Sequence, residues 1–239
     1  MKVILINGSP HEKGCTYTAL MEVSKTLLEE GIETEFFWIG TKPIAGCIAC
    51  RSCAKTGHCV FDDKVNEFLN IAKGADGFIF GTPVHYAGAS GAITSFMDRV
   101  FYCDSLGKGN TTFYMKPAAA VISARRAGTT STFDQLIKYF TIKEMPVVSS
   151  RYWNMVHGAK PEDVLKDEEA YIPCEYWQEI WHFSYNVKKL VGRQECCFLN
   201  ARKLFLLILY GNNFIVGVKE WLLRRKFHSV INPEGKSYY

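Results

Sequence analysis

Residues 2–31, KVILINGSPHEKGCTYTALMEVSKTLLEEG, decide the fold. Lys2–Asn7 carries an unbroken apolar run of strand length, with no polar alternation, as expected of a strand covered on both faces. It ends at Gly8-Ser9-Pro10. From Thr16 to Gly31 the apolar spacing changes to a helical period, with Leu20, Val23, Leu27 and Leu28 on one face and Gly31 as the stop. A buried strand, a turn of small residues and an amphipathic helix open a βαβ unit.

The alternation continues outward from this stretch. Thr34–Ile39 reads as a second strand, a cysteine-rich loop follows, and a helix is expected from about Asp63 to Lys73. Asp76–Gly81 is a third strand, Ser90–Phe101 a helix, Pro117–Ser123 a fourth strand and Thr132–Lys143 a helix. Met145–Val148 is a short fifth strand. Strands alternating with helices imply a doubly wound α/β fold with a five-stranded parallel sheet. In such sheets ligands bind outside the carboxyl ends of the strands, which singles out Gly8–Thr16, Thr82–Gly91 and Ser123–Thr130.

Composition narrows the function classes. The N-terminal apolar run is too short for a secretory signal, so a cytoplasmic protein is expected. Nine cysteines in that setting argue for metal or redox chemistry rather than a disulfide framework. The net charge of +4 is confined to the end of the chain: residues 1–169 hold 18 Lys+Arg against 19 Asp+Glu. No basic stripe with interleaved aromatics occurs there, so no nucleic-acid partner is expected. Leu204–Val218 spans 15 residues interrupted by Asn212 and Asn213, short of the roughly 20 that cross a membrane, so no membrane association is expected either.

The first loop, Gly8-Ser9-Pro10-His11-Glu12-Lys13-Gly14-Cys15-Thr16, runs from strand to helix. Small residues, hydroxyls and the free N–H groups of a helix start suit a phosphate monoester. Neither the P-loop spacing nor G-x-G-x-x-G is present, which counts against a nucleoside triphosphate or a dinucleotide. The second loop, with Pro83, Val84, His85 and Tyr86, can take a flat ring on its backbone; a rigid loop with a core tyrosine is the plainer reading. The third carries Arg125, Arg126 and Gly128, where the arginines suit a phosphate or a ring carbonyl, or are simply solvated. Cys47, Cys50, Cys53 and Cys59 form C-x2-C-x2-C-x5-C. Four thiolates are the donor set of a [4Fe–4S] cluster, though they also satisfy zinc or stand as empty thiols. A second distant C-x2-C knuckle, usual in zinc ribbons, is missing. Cys103 reads as a packing residue and His58 as a bystander in the cysteine loop.

GSPHEKGCTYTAL (8–20), TPVHYAGASGAITSFMDR (82–99) and SARRAGTTSTFDQLIKYFTIKEMPVVSSRYWNMVHG (123–158) together resemble the NADPH-dependent FMN reductase family, and more narrowly its iron–sulfur flavoprotein branch. The resemblance covers residues 1 to about 169. It implies a flavodoxin-like fold with FMN as cofactor, its phosphate at Ser9, Pro10, Cys15 and Thr16. The flavin ring would lie at Pro83, Val84, His85 and Tyr86, with Arg125, Arg126 and Gly128 beside it; His85 stands where relatives often carry Tyr. It also implies a [4Fe–4S] cluster on Cys47, Cys50, Cys53 and Cys59, ferredoxin or NAD(P)H as redox partner, and a homodimer or higher homo-oligomer. A cluster-free NAD(P)H-dependent FMN or quinone reductase, a damaged gene product and a non-catalytic binding module are the alternatives. No residue is expected to act as a proton-transfer catalyst.

The resemblance stops at Glu169, which divides the chain into a domain at 1–169, with its cysteine loop at 46–62, and an atypical tail at 170–239. Back-translation with one base restored at Ala170 gives a stretch beginning EEGLYSMRVLARNMA and ending FTNFIR, which is family-like. Stop codons then fall at Gly211 and Asn212. The tail therefore reads as frame-shifted.

Overall fold

The computed structural model describes residues 1–107, 112–150, 152–167 and 170. The elements run β1 (Lys2–Asn7), α1 (Cys15–Glu29), β2 (Glu33–Trp38), α2 (Cys53–Thr56), α3 (Lys64–Ala72), β3 (Gly77–His85), β4 (Gly88–Ala89), α4 (Gly91–Leu106), β5 (Ala118–Ala124), α5 (Thr129–Ile142), β6 (Met155–His157) and α6 (Pro161–Val164). Five parallel strands lie in the order β2-β1-β3-β5-β6, and β4 folds back antiparallel on β3. This is the doubly wound, flavodoxin-like order, in which the chain reverses direction across the sheet between β1 and β3.

Strand alternation divides the core. Ile4, Ile6, Phe78, Phe80, Ala118, Ala120 and Ile122 face one layer, which α3, α4 and α5 complete with Phe68, Phe96, Met97 and Phe140. Val3, Leu5, Ile79, Ala119 and Val121 face the other, against Leu20, Val23 and Leu27 of α1 and Val164 of α6. Phe68 is the hub of the first layer, its ring centroid 5.2 Å from that of Phe37 and 5.3 Å from that of Phe96. Tilted aromatic contacts of this kind add to the burial of each ring. Leu28, expected on the inner face of α1, is instead 56% exposed: at one residue past Leu27 it has rotated off the buried stripe, which Ala19, Leu20, Val23 and Leu27 already fill.

The helices begin where the sequence provides caps. Asp63 accepts the Val65 N–H at the start of α3, and Ser90 accepts the Ile93 N–H at the start of α4. Gly31, at φ +70°, ends α1 in a conformation that favours glycine.

The fifth strand differs from expectation. Residues 145–148 make a single bridge, Ala118 to Val147, and the position beside β5 is taken over by β6 at Met155–His157. The Pro146 carbonyl accepts the Ala118 N–H at 2.9 Å and the Val148 N–H donates back to Ala118 O at 2.8 Å, which completes that one bridge; the pairing resumes where Asn154 O accepts from Ile122 N–H. The sheet edge is thus built from two short pieces. The frame-shift reading of 170–212 and the tail it belongs to lie outside the described residues, apart from Ala170.

The carboxyl end of β1 closes on the middle of β3 through two glycines. Gly8 N–H donates to Gly81 O at 2.8 Å, and a Cβ on Gly8 would stand 2.8 Å from that oxygen. A Cβ on Gly81 would meet Leu20 Cδ1 at 2.8 Å and Thr16 Cγ2 at 2.9 Å. Gly81→Ala is expected to cost about 1–3 kcal/mol through this overpacking, read as a lowered urea midpoint. Gly46→Ala, where a Cβ meets nothing within 4 Å, serves as the unaffected control.

Candidate functional site

Three loops meet at the carboxyl edge of the sheet. In the first, Ser9 N–H donates to Asn7 Oδ1 (3.0 Å) and Ser9 Oγ accepts the His11 N–H (3.1 Å). Asn7 Nδ2 reaches across to Glu12 O at 2.9 Å, and Trp38 Nε1 donates to Ser9 O at 2.8 Å. The loop is therefore shaped before any ligand arrives. Helix α1 starts after Gly14, which brings no side-chain cap, so its first-turn N–H groups face the loop without a side-chain acceptor from that residue.

Of the four residues expected to hold a phosphate, only Pro10 is exposed. Ser9 is buried, Cys15 Sγ lies 3.7 Å from Gly158 O, and Thr16 is buried with its hydroxyl 2.7 Å from Ser123 Oγ. Thr16 and Ser123 tie α1 to the end of β5, which makes Ser123 a site-shaping residue that sequence reading passed over. A side chain can be recruited to a loop by its residue type alone, whereas this pairing needs the three-dimensional crossing of two elements 107 positions apart.

In the second loop, Val84 pairs with Ala89 and His85 with Gly88, leaving Tyr86 and Ala87 as the hairpin tip. Tyr86 takes φ +60° and is fully exposed. Pro83 and Val84 are half-buried and His85 is exposed. The third loop packs on this hairpin. A Cβ on Gly128, which has φ +100°, would stand 2.7 Å from Val84 Cγ1, and Ser131 Oγ donates to Ala87 O at 3.1 Å. Arg125 and Arg126 are both exposed beside it. The structure thus brings all three loops to one edge, with aromatic, cationic and backbone donor groups open to solvent.

The cysteine loop leaves the end of β2 at the same edge. Cys47, Cys50, Cys53 and Cys59 line one open cleft, together with Arg99, Tyr102 and Cys103 of α4. Cys47 and Cys50 are exposed, Cys59 is half-buried and Cys53 is buried at the start of α2. Ala49 and Arg51 alternate with the cysteines in left-handed conformations, at φ +53° and +58°. Such non-glycine residues cost about 1–3 kcal/mol each and concentrate at ligand clamps. Ser52, through its hydroxyl and N–H, holds the exposed Cys50 thiol below its ordinary range. Cys103 goes the other way: burial first, then the nearby Cys53 and Cys59, pushes its thiol up to about 12, so it stays protonated at neutral pH. Among the described residues no three His, Cys, Asp or Glu side chains stand close enough together to hold one ion.

Cys59 is fastened more tightly than its neighbours. Its N–H donates to Asn66 Oδ1 (2.8 Å), and Asn66 Nδ2 donates to Cys59 O (2.9 Å) and Phe61 O (3.1 Å). Asn66, Arg99 and Tyr102 escaped the sequence reading, while Cys103, read as a packing residue, is buried. The available signal was the i, i+3, i+4 spacing of Arg99, Tyr102 and Cys103, which places them on one face of α4.

Comparison with known proteins decides the family. The NADPH-dependent FMN reductase family matches residues 1–160. The chain belongs to that family. Its members are flavin-dependent oxidoreductases, and this chain is one. An iron–sulfur flavoprotein of Methanocaldococcus jannaschii is 36% identical over 177 residues, covering 70% of this chain and 89% of its own. A second, from Archaeoglobus fulgidus, is 30% identical over 178 residues, with coverages of 71% and 89%. Among solved structures, RosB with the bound riboflavin-5'-phosphate derivative OHC-RP superposes with a TM-score of 0.61 at 12% identity, covering 100% of this chain and 95% of its own. A WrbA-like flavodoxin from Agrobacterium tumefaciens superposes at 0.52 and 15% identity, covering 77% and 97%. At these identities the two structures speak for the fold alone.

Thr16→Val leaves the buried Ser123 hydroxyl without its partner and is expected to lower stability by about 1–3 kcal/mol. Chemical denaturation of Thr16→Val against Thr16→Ser, which keeps the hydroxyl, checks this; equal losses in both would contradict it.

Proposed function

We propose that this chain is an electron-transfer flavoprotein that carries FMN on the three loops and a [4Fe–4S] cluster on Cys47, Cys50, Cys53 and Cys59. The observation that carries the reading is the convergence of all four cysteines on one cleft, walled by a fully buried arginine. Bound, FMN supplies a two-electron centre and the cluster a one-electron centre. Everything else falls to the chain's own residues.

For the flavin, the residues present fit. The N–H groups at the start of α1 meet the phosphate, backed by Ser9, Pro10, Cys15 and Thr16. With the Thr16 side chain turned towards Ser123, backbone donors take the larger share. Pro83, Val84, His85 and Tyr86 flank the ring, Tyr86 presenting an unobstructed aromatic face, and Gly128 lets the Arg125–Arg126 loop approach from the other side. For the metal group, the donor chemistry fits as well. A single zinc draws its thiolates to within about 4 Å of one another. A [4Fe–4S] cluster instead gives each of four sulfurs its own iron, and the four cysteines that line the cleft supply that donor set. The names of the two archaeal relatives point the same way.

Donor and acceptor are of the class of ferredoxin or NAD(P)H on one side and flavin-reducible compounds on the other, and a homodimer is the expected assembly. The family's own description favours a second reading, an NAD(P)H-dependent FMN or quinone reductase that uses no cluster. The tail from residue 170 remains proposed as frame-shifted. The relatives that match over 89% of their own length account for 70% of this chain, and the family match ends at residue 160.

Anaerobically purified chain is expected to hold one FMN and roughly four irons. Cys53→Ser is expected to lose the iron and keep the flavin. Flavin without iron in the unaltered chain would select the cluster-free reductase.

A further inference from the structure

Arg99 is a fully buried side chain with an unusual set of partners. Nη1 meets Asp63 Oδ2 at 2.6 Å and Nη2 meets Asp63 Oδ1 at 2.9 Å, a two-pronged ion pair. Nη1 also donates to Ala45 O (3.4 Å) and Nη2 to Phe61 O (3.3 Å). Nε donates to Cys59 Sγ at 3.2 Å. The guanidinium carbon lies 4.9 Å from the Phe61 ring centroid. A guanidinium has five N–H donors, and all five are placed. Two go to the carboxylate, one to the residue two before the first cysteine of the loop, one to the residue two beyond the last, and one to sulfur.

A charge removed from water in this way is retained only where its partners are fixed. Asp63 is itself fixed, because it also caps α3 through the Val65 N–H. The loop from Ala45 to Asp63 is therefore closed at both ends on one side chain of α4. We propose that Arg99 is the positioning residue of the iron–sulfur loop, holding its two ends together and donating a hydrogen bond to the Cys59 sulfur that raises the reduction potential of the cluster. This rests on the reading of the four cysteines as cluster ligands. An N–H directed at a ligand sulfur stabilises the more negative, reduced state, and hydrogen bonds to sulfur and local charge set such potentials. Lysine in the same place keeps the charge but has neither the planar fork nor Nε.

The test uses full-length chain prepared anaerobically, unaltered and as Arg99→Lys and Arg99→Gln. Iron and FMN content, the rate of iron loss to a chelator and the cluster midpoint potential are measured on each. Both variants are expected to keep their FMN, lose iron about tenfold faster and shift to a more negative potential. Faster iron loss with an unmoved potential would reduce Arg99 to a structural tie and overturn the proposal. So would retention and potential equal to the unaltered chain. Where a variant does not fold, pulsed EPR of the reduced, unaltered chain grown with 15N-arginine decides: a weak nitrogen coupling is expected, and its absence overturns the sulfur bond. An unaltered chain with flavin and no iron overturns the cluster reading itself, which is visible before any variant is made.

Discussion

The bond from Gly8 N–H to Gly81 O draws the carboxyl end of β1 against the middle of β3 at a separation that no Cβ permits. That approach sets the geometry of everything at the sheet edge. With β1 and β3 held there, α1 starts directly over the gap, and Thr16 and Leu20 pack where a larger residue at Gly81 would stand. Thr16 can then reach Ser123 on β5, and Ser90 can donate to Gly8 O from the start of α4. One close contact between two strands thereby fixes the first loop, the second helix of the site and the third loop relative to one another.

The cysteine loop answers to a different constraint, the cost of burying a charge. Arg99 sits in a helix whose other buried residues, Asp104 apart, are apolar, Ile93, Phe96, Met97 and Val100 among them. Its pairing with Asp63 offsets the loss of hydration only while both groups keep their partners. The partners are the loop. Burial works to lower the Arg99 pKa, and the bonds from Asp63 and Cys59 outweigh it, so the side chain stays charged and the loop stays closed. The first constraint belongs to the edge where the three loops meet and the second to the cysteine cleft. Trp38, at the end of β2 and bonded to Ser9 O, joins them.

Much of this was legible beforehand. β1 is read to the residue from an apolar run with no polar break, and α3 and α4 start one residue after the expected Asp63 and Ser90. The cysteines declare themselves by spacing. What escaped depends on contacts between distant positions. The fifth strand was misplaced because Met145–Val148 has strand composition, yet it makes only one bridge, at Val147, and the ladder beside β5 is carried by Met155–His157. The Thr16 side chain suggested a ligand by its type and serves the fold by its position. Arg99 carried no signal in composition, because an arginine beside an apolar stripe is usually solvated. Its place became clear only with Asp63, Phe61 and Cys59 beside it.

The chain is a flavin-dependent oxidoreductase of the NADPH-dependent FMN reductase family, and the proposal places a planar cofactor on its three loops and sulfur-bound iron in the neighbouring cysteine cleft. The central claim is that both sites work in one chain. Its most direct test is an anaerobic reductive titration of the purified chain, followed in the visible spectrum. The account predicts uptake of about three electrons per chain, with absorbance lost in both the flavin bands and the broad sulfur-to-iron region. Completion at about two electrons, with changes in the flavin bands alone, would contradict it.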